Sequence, residues 1–138
     1  MTVALNSGLR LGEILGLRRD QVDLRHGFIL LEISKNGERR QIPINTTLEY
    51  LFKDIFENTE GRYVFAHKDG RPYKEIKRSF NTALKDAGIY DFTFHDLRHT
   101  FASHLIMQGI DLVSVQDLLG HKSMKMTLRY AHLSPGHK

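Results

Sequence analysis

The chain has 138 residues, 41% hydrophobic and 26% charged, with a formal net charge of +4. That is enough for one soluble domain with a buried core, and too few prolines and glycines (3 and 11) for collagen-like or low-complexity disorder. The absence of cysteine excludes disulfide scaffolds, thiolate zinc sites, iron–sulfur clusters and cysteine nucleophiles, and points to the cytoplasm. No apolar run reaches the ~18 residues of a membrane span, and no secretory leader is present, so no membrane partner is expected. The basic excess suits a polyanionic partner.

In chain order, Met1 to Leu5 reads as the tail of a helix that starts upstream, followed by a turn at Asn6-Ser7-Gly8. Leu11, Ile14, Leu15 and Leu17 fall near helical spacing. Phe28 to Ser34 is apolar and β-branched, Asn36-Gly37 follows, and Arg39 to Ile44 returns. Asn-Gly between two such runs predicts a type I′ hairpin, and Pro43 puts the return strand at a sheet edge. Leu48, Leu51, Phe52, Ile55 and Phe56 make a helical stripe. Tyr63 to Phe65 reads as a short strand and Asp69-Gly70 as a turn. Ile76, Phe80, Ala83, Leu84 and Ala87 form another helical stripe, closed by Gly88. Thr93 with Asp96 caps a helix running to Gly109, Asp111 caps one through Leu119 that Gly120 stops, and Ser123 caps a last one to about His132. The expectation is one α+β domain, mainly helical, with a small antiparallel sheet.

The densest chemistry lies in His95-Asp96-Leu97-Arg98-His99. Spacings of three and four put both imidazoles and the guanidinium on one helix face. A guanidinium presents a planar fork matched to phosphate, and a neighbouring histidine donates or exchanges a proton. The H-x-x-x-H spacing also suits zinc, but the zincin pattern requires glutamate after the first histidine, where Asp96 stands, and Arg98 would set a cation beside the metal. The metal reading is therefore disfavoured and no cofactor is expected. Taken singly, Arg10, Lys35, His121 and Tyr130 are ordinary: a surface arginine, a hairpin lysine, a loop histidine and a half-packed tyrosine.

Their order changes that. Asn6-Ser-Gly-Leu-Arg10-Leu-Gly-Glu13, Lys35-Asn-Gly, His95-Asp-Leu-Arg98-His99-Thr-Phe-Ala, Leu119-Gly-His121-Lys-Ser and Thr127-Leu-Arg-Tyr130-Ala-His follow one another across nearly the whole chain. This series resembles the catalytic domain of tyrosine recombinases, the phage-integrase family. The resemblance implies the fold of DNA breaking-rejoining enzymes and a 3′-phosphotyrosine intermediate on double-stranded DNA, without ATP. It makes Tyr130 the nucleophile, Arg10 and Arg98 the phosphate clamp, Lys35 the acid for the 5′-oxygen, His95 a proton-handling group at the tyrosine and His121 a phosphate ligand, with Glu13 orienting a cation. It further implies a catalytic-domain piece, residues 1–138, without the family's N-terminal core-binding domain, monomeric alone and tetrameric on DNA within the parent protein. The alternatives are type IB topoisomerase-like cleavage without strand exchange, and a non-catalytic module that only tracks phosphates.

Overall fold

A computed structural model describes residues 1–33, 38–121 and 123–136. Seven α-helices and a three-stranded sheet occur among them: α1 (Thr2–Ser7), α2 (Leu11–Leu15), β1 (Val22–Asp23), β2 (Phe28–Ile33), β3 (Glu38–Pro43), α3 (Thr46–Asn58), α4 (Lys77–Ala87), α5 (Phe94–Met107), α6 (Leu112–Leu119) and α7 (Met124–Thr127). Short 3-10 segments lie at Arg19–Gln21 and Leu128–Leu133. The expected mainly helical α+β domain is what forms.

The sheet is antiparallel in the order β1-β2-β3, so Pro43 does sit on an edge strand, where its missing N–H costs no ladder bond. Ile29 pairs with Ile42 and Leu31 with Arg40. All four are buried, whereas Arg39 and Gln41 are exposed. Strand alternation therefore carries a charged residue, Arg40, into a core-facing position. The Asn36-Gly37 turn, and Lys35 beside it, lie outside the described residues.

Helix ends follow local chemistry. Asn45 and Asp111 accept the backbone N–H groups of Leu48 and Ser114 at 2.9 and 2.8 Å, which satisfies donors that a helix start leaves open. The Asp96 carboxylate accepts the Thr93 N–H at 2.7 Å. Two segments differ from expectation. Asn6 and Ser7 belong to α1, and Gly8 alone ends it. Tyr63 to Phe65 forms no ladder: Tyr63 makes one isolated bridge with Arg18, and Ala66 another with Pro72, because Gly61 and the Asp69-Gly70 turn leave too little extended chain between them.

Two apolar clusters meet along α5. Leu97 joins the larger one, with Val3, Leu9, Leu17, Ile29, Ile42, Leu48 and Phe52. Ala102 and Ile106 join the smaller, with Val115, Leu119 and Tyr130. Helix α5 thus runs through the middle of the molecule and holds whatever its polar face carries on a rigid support.

Gly8 is the point where α1 is tied to α5. Its φ of 71° is left-handed, and a Cβ there would fall 2.4 Å from a ring carbon of Phe101. Gly8→Ala is expected to cost about 2 kcal/mol or more through strain and overpacking, read as a lowered thermal midpoint. Gly27→Ala, also at positive φ but with open space around it, is the milder control.

Candidate active site

Arg98 is built into the fold before it meets any ligand. It is 3% exposed, and its guanidinium donates to the carbonyl oxygen of Gly8 at 2.7 Å and to that of Leu119. The two acceptors close α1 and α6, so both helix ends fix the side chain. A guanidinium has further N–H donors, and these remain for an anion. Burial, with Arg10 and Arg40 nearby, lowers its pKa to about 10, which leaves it charged at neutral pH.

Arg10 reaches the same place from the turn before α2. It is exposed, and its backbone N–H donates to Glu13 Oε1 at 2.9 Å. Glu13 also pairs with Arg40, accepting from Nη1 at 3.0 Å and Nη2 at 3.2 Å. The expected cationic partner of Glu13 is therefore Arg40 of β3. This bidentate pair ties the hairpin strand to the helix that follows Arg10. The Arg40 guanidinium also fills the space over Gly120: a Cβ on that glycine, whose φ is +70°, would lie 2.4 Å from Nη1.

His121 follows Gly120 directly. Its Nδ1 shares a hydrogen bond of 2.7 Å with the hydroxyl of buried Thr127. Burial first, then Arg98, Arg10, Arg129 and Arg40, push its pKa down to about 4. Its ordinary value is 6.5, so the folded chain resists a proton that the unfolded chain takes up. The stability this contributes is complete above pH 6.5 and is lost as pH falls from there to about 4. His95 shifts the same way, by burial and the neighbouring His99, Arg98 and Arg10. Thermal midpoints should fall over that window, and less steeply for His121→Asn.

Tyr130 lies in the 3-10 segment, not on a continued α-helix from Ser123 as the sequence suggests. The tighter 3-10 winding nearly eclipses side chains three apart. Thr127 and Tyr130 are accordingly both buried while Leu128 and Arg129 between them are exposed. One face therefore holds the hydroxyl that engages His121 and the phenol of Tyr130. The ring is 8% exposed and packs in the smaller cluster. Its hydroxyl is hydrogen-bonded to His99 Nδ1. His95 does not reach the hydroxyl; its ring meets His99 edge-on, 4.7 Å between centroids at 88°. Burial raises the Tyr130 pKa and outweighs the opposing influence of Arg129 and Arg98, so the phenol is protonated in the free protein.

These side chains surround one small cleft of about 90 Å³, lined by Arg10, His95, Arg98, His99, His121, Arg129, Tyr130 and Met126. The lining is mostly guanidinium and imidazole groups, whose donors suit an anionic group such as a phosphate. Six of the residues singled out in the sequence converge here, namely Arg10, His95, Arg98, His99, His121 and Tyr130, and Lys35 lies outside the described residues. Arg129 was not anticipated, although its place next to Tyr130 in a basic segment is a usable signal. Among the described residues no three His, Cys, Asp or Glu side chains gather as a metal site, and no helix is long and apolar enough to cross a membrane.

The chain and its fold are similar to those of known proteins. A family model described as the phage integrase family matches residues 1–137. The integrase of Salmonella phage P22 is 35% identical over 97% of this chain and 38% of its own length. The crystal structure of XerA recombinase superposes with a TM-score of 0.84 at 28% identity, over 99% of this chain and 51% of that one. The catalytic domain of bacteriophage HP1 integrase gives 0.74 at 31% identity, over 98% of this chain and 73% of that one. The chain spans less than half the length of the curated relatives it matches.

Proposed function

Since the chain belongs to the phage integrase family, we propose that residues 1–138 are the catalytic domain of a site-specific recombinase that cleaves and rejoins double-stranded DNA through a 3′-phosphotyrosine at Tyr130. The observation that carries this reading is the single cleft in which one phenol faces three arginines and three histidines.

The chemistry follows from charge. Attack of the Tyr130 oxygen on a phosphodiester builds negative charge on the non-bridging oxygens, and Arg10 and Arg98 are the donors for it. Arg98 loses nothing to reorganisation, because the Gly8 and Leu119 carbonyls already hold it. His121 donates a hydrogen bond to the phosphate, with Thr127 fixing its ring. His95, exposed at the cleft mouth, handles protons there. Lys35, which the sequence places between β2 and β3, protonates the departing 5′-oxygen. The bond energy is stored in the phosphotyrosine, so rejoining needs no ATP. No cofactor enters the scheme; the arginines neutralise charge where other nucleases use metal. The partner is double-stranded DNA in the cytoplasm, with the domain alone a monomer and the longer protein a tetramer on its sites.

The test is covalent capture on nicked duplexes from a randomised-sequence pool, in EDTA. A nick beside the scissile bond lets the 5′-hydroxyl fragment diffuse away and traps the adduct. A protein–DNA band that survives denaturant and chelator is expected. Reversible, salt-sensitive binding with no such band contradicts the reading and leaves a phosphate-tracking module. Strand-exchange products between two captured sites separate a recombinase from a topoisomerase.

A further inference from the structure

We propose that His99, through Nδ1, is the proton acceptor for the Tyr130 hydroxyl during cleavage and returns that proton during rejoining. This deepens the reading above and rests on it.

The geometry is direct. Of the three histidines in the cleft, His99 is the one bonded to the hydroxyl. His121 Nδ1 is engaged with Thr127, and the His95 ring packs against His99. With His99 in the tautomer that leaves Nδ1 unprotonated, the phenol O–H donates and this nitrogen accepts, which is the arrangement a general base needs before any substrate arrives. The nucleophile also requires one. Tyr130 is 8% exposed, and burial keeps its proton on despite the nearby arginines. A half-buried histidine on the rigid middle helix supplies a fixed acceptor.

The step balances. The Tyr130 O–H bond breaks, its proton passes to His99, and the oxygen's electron pair forms the bond to phosphorus. The bond from phosphorus to the 5′-oxygen breaks with its pair on oxygen, which takes one proton from the general acid. Rejoining runs the same transfers backwards, with protonated His99 reprotonating the tyrosine. The titratable and charged groups that share the cleft with His99 are His95 and Arg98 on its own helix, Arg10 before α2, His121 after α6, and Arg129 beside Tyr130, and the charge of Asp96 on the same helix also acts on it. The cations among them favour the phenolate as it forms.

His99→Gln keeps a side chain able to hold the hydroxyl but unable to take its proton. Its adduct formation on the nicked pool should be slower by about 10²-fold or more, with an unchanged thermal midpoint. A merely structural histidine would be indifferent to the acidity of the phenol. Introducing a fluorinated, more acidic tyrosine at position 130 should therefore narrow the gap between His99→Gln and the parent chain. Equal rates for the two chains, or a gap that fluorination leaves untouched, overturn the inference. A second probe needs no DNA: diisopropyl fluorophosphate should phosphorylate Tyr130 faster in the parent chain than in His99→Gln. That difference without any DNA adduct from the parent chain would sink the recombinase reading and leave the proton acceptor standing. A parent chain that forms DNA adducts no faster than His99→Gln would sink the acceptor and leave the recombinase.

Discussion

Tyr130→Phe should abolish covalent capture of DNA while leaving reversible binding within a few-fold of the parent chain. The substitution removes one oxygen from a ring whose packing comes from Ala102, Ile106, Val115 and Leu119. What is lost structurally is the bond to His99, worth about 1 kcal/mol for an ordinary intramolecular hydrogen bond. The fold, and the arginines that line the cleft, stay in place. What is lost chemically, on the proposed mechanism, is the oxygen that forms the phosphotyrosine. Gel-shift affinity and denaturing-gel adduct yield, measured on the same nicked duplexes, separate the two. Undiminished adduct would give the nucleophile to another residue.

Arg98→Ala should fail twice, by separable amounts. Cleavage should drop by about 10²-fold or more, the usual scale for deleting one preorganised charge stabiliser. Stability should fall as well, because the Gly8 and Leu119 carbonyls lose their donors inside the protein. Each buried orphan costs about 1–3 kcal/mol. Arg10→Ala is the informative partner. Arg10 is exposed and holds no helix end with its side chain, so it should lose cleavage on a similar scale with a nearly unchanged thermal midpoint. A midpoint for Arg98→Ala equal to that of the parent chain would mean that the two carbonyls find other donors.

Most of the fold was legible because its boundaries are written in local chemistry. Asp111, Gly88 and Gly120 are caps whose side chains or missing Cβ act within a turn of where they stand. The cleft's composition was legible for a different reason: separated polar residues in one order constrain the answer more than any of them alone. What escaped depends on tertiary placement. His95 and His99 lie one turn apart on the same face of α5, and nothing local says which meets Tyr130. That is decided by the switch from α7 to 3-10 winding, which turns Tyr130 onto the Thr127 face. Arg40 escaped because a charged residue in a strand reads as solvent-facing, although its phase with Ile42 put it inward. Its role emerges only with Glu13 opposite. The Tyr63 strand failed because residue type favoured extension where the chain between Gly61 and Gly70 was too short to pair.

The most direct measurement is to map the modified residue. The chain is reacted with nicked duplexes, the DNA is digested to a terminal nucleotide, and the protein is analysed by peptide mass spectrometry. The account predicts one modified peptide, carrying a 3′-linked nucleotide phosphate on Tyr130. A nucleotide on any other residue, or one attached through its 5′ end, would contradict it.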